Sequence, residues 1–257
     1  MLSREEIERI ARETGQQANI IEKDYLLEMV LFLLQEYGKN LIFRGGTALY
    51  KLYSLPRFSE DLDFTLKGKM DTDKVTKTVM RKLQLAGVSG RIKEVSIYGN
   101  QRNIRLELRG PLFDGNPHNA NVITINISMK EKPIYDGNEE KMYPKYRDIP
   151  SFAVVVMPLQ EILAEKIRAL FTREKPRDVF DIWFLCMKGI STTLRDIDKK
   201  LKLYEEKFSR EKFIEKIEDK RKAWEMDLKV LINGKLPDFN SVKKEIIDHV
   251  NELVKDN

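Results

Sequence analysis

Two carboxylates, Asp61 and Asp63, close the stretch FRGGTALYKLYSLPRFSEDLDF, which opens on the adjacent glycines Gly45-Gly46. Side chains alternate faces along a strand, so Asp61 and Asp63 share one face about 7 Å apart, while Leu62 and Phe64 turn into the core. Two like charges on one face repel unless something positive lies between them. A divalent cation does this, and an all-oxygen ligand set that leaves room for water suits Mg²⁺. Two such ions about 3.5–4 Å apart would activate an attacking hydroxyl and stabilise a leaving pyrophosphate. Gly45-Gly46 supplies a complementary feature. Lacking Cβ atoms, it lets the backbone come close to a phosphate, and a helix starting at Thr47 would aim free N–H groups and the positive end of its dipole at the same group. Arg57 and Ser59 flank the carboxylates and could reach the same triphosphate. A surface hairpin with an ordinary acidic edge is the other reading of either feature alone. A P-loop is not supported, because G-x-x-x-x-G-K-[ST] is absent.

The elements that must position these residues follow from hydrophobic spacing. Ser3 and Glu6 read as a capping box opening a first helix that stops near Gly15. A second helix runs from about Asn19 to Tyr37, on the spacing of Ile21, Tyr25, Leu26, Met29, Val30 and Leu33. Leu41 to Phe43 reads as a short buried strand, Gly45-Gly46 as a turn, Thr47 to Tyr53 as a helix and Leu62 to Leu66 as a strand. A helix over 74–85 precedes strands over 92–97, 103–108 and 122–129, with a turn region between the last two. Residues 144–152 read as irregular and 153–156 as a short strand. Helices over 159–171 and 177–188 are split by Lys175-Pro176, and the Lys/Glu-rich remainder, 193–254, reads as helical. The expected architecture is an α/β (α+β) fold. It has a small mixed sheet flanked by helices in residues 1–155 and a helical part in 156–257 that completes the site.

Composition sets outer limits. The chain has 257 residues, 42% of them hydrophobic, enough for a substantial core. A net charge of +5 permits an anionic partner without demanding one. The single cysteine, Cys186, lies in an apolar run, so a disulfide framework is excluded and a buried thiol expected. The two histidines, His118 and His249, lack metal-ligand spacing, which argues against zinc. No apolar stretch approaches the roughly 18 residues of a membrane span, and the N-terminus has no signal-peptide pattern; the expected compartment is the cytoplasm. Between Lys199 and Lys222 the many cations are interleaved with Glu205, Glu206, Glu211, Glu215 and Glu218. This reads as a solvated helical surface, with an RNA-tracking surface carrying Tyr204, Phe208, Phe213 and Trp224 as the alternative.

Gly-Gly-Thr, a short helix, then Ser-x-Asp-x-Asp on a strand resembles the polymerase-beta-type nucleotidyltransferase superfamily. IIEKDYLLEMVLFLL (20–34), RFSEDLDF (57–64) and EILAEKIRALFTREKPRDVFDIWFL (161–185) narrow the resemblance to the AbiEii/AbiGii toxin family over residues 19–185. The resemblance implies transfer of a nucleotide from an NTP to an RNA acceptor, in some members the tRNA 3′ end, with Mg²⁺ or Mn²⁺, and a cognate antitoxin. It also implies phosphate binding at Gly45, Gly46 and Thr47, metal at Asp61 and Asp63, triphosphate contact by Lys166, and a catalytic role for Asp181. In Glu22-Lys23-Asp24, Lys23 or Asp24 would help frame the site. Asp178 and Asp181 share a helix face. Asp178 also suits a first helical turn whatever the chemistry, and Lys166–Asp181 also reads as a structural ion pair. One position departs from the superfamily pattern: the strand expected to carry a third carboxylate has Asn126, with Glu107 on a neighbouring strand as the substitute. A small-molecule acceptor and a catalytically silent nucleotide-binding fold are the alternatives.

Overall fold

The computed structural model describes residues 1–257 apart from Asn100, Lys130, Asn233, Asp256 and Asn257. The chain divides into two units. The first comprises residues 1–47, 60–132 and 139–156; the second comprises 48–59, 133–138 and 157–257. The two short segments assigned to the second unit have no counterpart in the sequence reading.

The first unit opens with α1 (Arg4–Thr14) and α2 (Ala18–Leu34). The Ser3–Glu6 capping box forms in both directions, and Gly15 ends α1 at φ +66°. After β1 (Leu41–Arg44), α3 (Gly45–Tyr53) begins within the first unit. Then come β2 (Asp61–Leu66), α4 (Thr72–Leu85), β3 (Ser89–Tyr98), β4 (Gln101–Arg109), β5 (Asn121–Ser128), β6 (Asn138–Met142) and β7 (Phe152–Val156). They form a seven-stranded mixed sheet in the order β3-β4-β5-β2-β1-β7-β6. β1 lies antiparallel to β2 and parallel to β7, and β2 lies parallel to β5. The mixed α/β architecture is the expected one. β6 is an addition, and the strands over 92–97 and 103–108 are longer at both ends than their apolar cores suggest.

Alternation separates the faces of the central strands. Leu62, Phe64, Ile104, Leu106, Leu108, Ile123, Ile125 and Ile127 are all buried. Asp61, Asp63, Thr124 and Asn126 alternate with them and are half-buried. Burying each large aliphatic side chain contributes about 1.5–3 kcal/mol. A one-residue slip would turn all of them to the polar face, so the core fixes the register that presents Asp61 and Asp63.

The second unit contains α5 (Leu159–Thr172), α6 (Arg177–Met187), the short strand β8 (Thr192–Thr193) and α7 (Leu194–Leu201). These are followed by α8 (Arg210–Glu218), α9 (Trp224–Leu228), α10 (Phe239–Asp248), α11 (Val250–Leu253) and β9 (Val254–Lys255), which pairs with β8. The stretch expected to be helical over 193–254 is thus broken into short helices. Glu205 stops one run at φ +60°, and the segment containing Pro237 separates α9 from α10. Phe213 and Trp224 are buried, and Arg168 stacks on the half-exposed Tyr204. Phe208 packs beside Phe171 and Phe213. The aromatics therefore belong mainly to the packing of this unit.

Candidate active site

The glycine turn and the carboxylate pair meet in the first unit. β1 and β2 pair with Arg44 opposite Asp63, which brings the residue after Arg44 beside the Asp63 side chain. Gly45 has φ +77°, a left-handed conformation that glycine adopts without strain. A Cβ added there would lie 2.7 Å from Asp63 Oδ2, so the carboxylate rests against the glycine backbone. Gly46 and Thr47 continue as the first turn of α3, whose N–H groups have no intrahelical acceptor. Thr47 is fully buried, and its hydroxyl donates to the Asp61 carbonyl at 2.5 Å. Thr47 thus ties the helix start to the carboxylate strand through its side chain, leaving its main-chain N–H as the group suited to a phosphate.

Across β2, Asp63 pairs in register with Asn126 of β5, and Asn126 Nδ2 donates to Asp63 Oδ1 at 3.0 Å. Glu107 does not take the place of a third carboxylate. It sits opposite Val122 on β4, roughly 10 Å across and 13 Å along the sheet from Asp63 by strand spacing. Its oxygens accept from Arg91 at 2.8 and 3.2 Å, and this bond, with Lys93 nearby, holds its carboxyl below the usual range. A carboxylate so held is a poor base. Among the described residues no group of three or more His, Cys, Asp or Glu is placed to hold a metal ion. Asp61 and Asp63, on one face of β2, are the pair that could supply carboxylate oxygens to one. Two hard oxygen ligands with room for water and substrate phosphates match the requirements of Mg²⁺.

The Glu22-Lys23-Asp24 motif on α2 divides its work. Glu22 accepts from the Leu112 N–H and from Asn121 Nδ2, both at 2.5 Å. Burial pushes its carboxyl up despite those bonds. A Cβ on Gly110 would fall 2.6 Å from Glu22 Oε1, so a larger residue there would make the Glu22 side chain shift from these bonds. Lys23 pairs with Glu60, immediately before Asp61, and is the member that reaches the carboxylate strand. Asp24 is buried, 3.0 Å from the Tyr146 hydroxyl, which also donates to the Ile21 carbonyl. Asp24 therefore braces the fold.

A second constellation lies in the second unit. Arg57 is 2% exposed, and its Nε and Nη2 each donate to Asp181 at 2.6 Å. Its remaining nitrogen, Nη1, donates to the Phe58 carbonyl. The sequence reading puts Arg57 beside phosphates; the structure commits all three of its nitrogens inside this unit. Lys166 Nζ lies 2.6 Å from Asp181 and 3.1 Å from Asp178, and Arg173 closes the cluster on Asp178 at 2.8 Å. Burial alone would raise both aspartates. Arg57 and Lys166 hold Asp181 below the usual range, and Lys166 and Arg173 do the same for Asp178. Asp178 is thus more than a helix cap. Arg173 carries no motif that would single it out, and Arg57 and Asp181 stand 124 positions apart. Ser59 is half-exposed at the end of the 48–59 segment, and Cys186 is buried, with its thiol pushed up by burial.

A mixed sheet with Gly-Gly-Thr opening a helix and Asp-x-Asp on the adjoining strand defines the nucleotidyltransferase class of fold. Solved structures agree at the level of fold. MenT4, a nucleotidyltransferase toxin from Mycobacterium tuberculosis H37Rv, aligns over 98% of this chain and 90% of its own, with a TM-score of 0.70 at 18% identity. JHP933 from Helicobacter pylori aligns over 91% of each chain, with a TM-score of 0.59 at 19% identity. No curated protein matches the sequence. The family model for the nucleotidyl transferase AbiEii toxins of type IV toxin–antitoxin systems matches residues 27–245, and the chain belongs to that family. The match runs 60 residues past the C-terminal end of the 19–185 span that carries the motifs and begins at residue 27, after Glu22-Lys23-Asp24-Tyr25. Among the described residues no helix is long and apolar enough to cross a membrane.

Proposed function

We propose that this protein is a cytoplasmic toxin that transfers a nucleotide from an NTP to an RNA acceptor, the tRNA 3′ end being the first candidate, and that a cognate antitoxin restrains it. The observation that carries the reading is Asp63, seated between the Gly45 backbone and Asn126 with Asp61 on the same strand face. Asp61 and Asp63 would hold Mg²⁺ or Mn²⁺, which when bound supplies charge neutralisation on the phosphates. Main-chain N–H groups of Gly46 and Thr47, at the start of α3, bind triphosphate oxygens. Lys166, to which the family resemblance gives a triphosphate contact, is held by Asp178 and Asp181 within the second unit. The acceptor hydroxyl oxygen bonds to the α-phosphorus, the bond to the β-phosphate oxygen breaks, pyrophosphate leaves, and the hydroxyl proton passes to water. A fold that binds nucleotide without turnover is favoured by one observation, the amide of Asn126 where a third carboxylate is expected.

Incubation with each labelled NTP, Mg²⁺ and total tRNA, beside an Asp61→Asn control, tests the proposal. Label on tRNA that is absent from the control is the expected result. NTP binding without label on any RNA, and without pyrophosphate release, would favour the silent fold. Pyrophosphate release dependent on an added small hydroxylated acceptor would move the reading to small-molecule modification.

A further inference from the structure

Asn126 occupies the position from which a third carboxylate would face Asp63, yet it is engaged rather than idle. Its Nδ2 donates to Asp63 Oδ1 at 3.0 Å, while Asp63 Oδ2 packs where a Cβ of residue 45 would stand. One oxygen of the carboxylate therefore accepts from an amide, and the other occupies space that a Cβ at position 45 would take. Asn126 itself has little freedom to move. Its neighbours Ile125 and Ile127 are buried on the opposite face, and β5 is paired on both sides, with β2 and with β4. Asn103, opposite Asn126 on β4, accepts from Gln101 at 3.3 Å, so its side-chain oxygen is engaged on its own strand.

We infer that Asn126 is a positioning residue for the metal-binding carboxylate of Asp63. This rests on the assignment of Asp63 as a metal ligand made above. An amide cannot take a proton from an acceptor hydroxyl, so position 126 does not supply the base. It supplies a donor that fixes one oxygen of Asp63 and leaves the carboxylate's other lone pairs for an ion. Groups that orient a metal ligand in this way typically change metal affinity by about 10–100-fold when removed. An aspartate at 126 would instead place a second carboxylate about 3 Å from Asp63, a pair that a cation would relieve.

Mn²⁺ binding, read from the loss of the free-ion EPR signal, tests this without reference to turnover. Wild type, Asn126→Ala, Asn126→Asp and Asp63→Asn are titrated with Mn²⁺ alone, and the melting temperature of each metal-free protein is measured. The expected result is affinity at least tenfold weaker for Asn126→Ala and several-fold tighter for the isosteric Asn126→Asp, with metal-free melting temperatures close to wild type. In the transfer assay Asn126→Ala should lower kcat with little change in KM for the NTP. Wild-type Mn²⁺ affinity in both position-126 variants, alongside loss in Asp63→Asn, overturns the role of Asn126 and leaves the metal reading standing. Wild-type affinity in Asp63→Asn overturns both.

Discussion

Asp63 depends on the absence of a side chain as much as on the presence of one. Residue 45 must adopt φ +77°, and any Cβ there would press on the Asp63 carboxylate at 2.7 Å. The left-handed conformation alone costs a non-glycine residue about 1–2 kcal/mol, and the carboxylate or the β1–β2 pairing must also shift. Gly45→Ala is therefore expected to lower the melting temperature by about 2–8 °C for a chain of this size. Nucleotide transfer should fall more than tenfold, because the displaced atom belongs to a proposed metal ligand. Calorimetry and the label-transfer assay check the two parts, and a variant with wild-type values in both would show that Asp63 tolerates the intrusion. The sequence made Gly45 and Asp63 individually visible but not their contact, which depends on the β1–β2 register. Similarly, Thr47 reads as a phosphate ligand in a motif, and only the structure shows its hydroxyl tied to the Asp61 carbonyl.

At the scale of elements, α5 and α6 are joined by charge in an otherwise apolar setting. Lys166 on α5 meets Asp178 and Asp181 on α6, and Arg57 and Arg173 complete the set. Leaving a buried ion without its partner costs about 3–5 kcal/mol, so Arg57→Met should destabilise the protein by that order in denaturant melts, with Arg57→Lys recovering only part. The pH dependence has a definite sign. Asp178 and Asp181 have folded-state values below the ordinary carboxylate range. Their contribution is fully present above the unfolded-state value near 3.9 and disappears as pH falls through the lower folded values. The stability gap between wild type and Asp181→Asn should then be full at pH 7, remain so to about pH 5, and narrow below pH 4. A gap that stays constant down to pH 3 would deny the linkage. The pairing of Lys166 with Asp181 was readable from an expensive carboxylate on an apolar helix with a lysine one helix earlier. Arg57 was not, since no local pattern connects positions 124 residues apart. The same contrast explains the strands. β2 and β5 alternate cleanly and can be read off the sequence, whereas β6, Asn-Glu-Glu-Lys-Met, is a largely exposed edge strand with no apolar rhythm.

At the scale of the whole chain, sequence order and structural unit diverge. The second unit takes in residues 48–59 and 133–138 as well as 157–257. Both short segments contribute buried polar partners. Residues 48–59 bring Arg57 to Asp181, and the Phe58 N–H donates to the Leu231 carbonyl at 2.7 Å. Residues 133–138 bring the N–H groups of Ile134 and Tyr135 to the fully buried Glu161 at 2.8 and 3.1 Å, and the Tyr135 hydroxyl to Asp196 at 2.6 Å. A fragment consisting of 157–257 alone keeps every apolar residue of its long helices yet loses these partners. Asp181 keeps Lys166 but loses both bonds from Arg57, a large part of the about 3–5 kcal/mol at stake when a buried charge pair is broken, and each buried acceptor that loses a donor adds about 1–3 kcal/mol. Together these rival the 5–15 kcal/mol by which folded domains exceed their unfolded states. The C-terminal fragment is therefore expected to show no cooperative thermal transition by circular dichroism, although its sequence taken alone reads as a helical domain. Supplying residues 48–59 as an N-terminal extension should restore helical signal in part, and the same extension carrying Arg57→Met should not. A sharp transition in the bare fragment would show that the buried carboxylates find other partners and that the helical half is an autonomous domain.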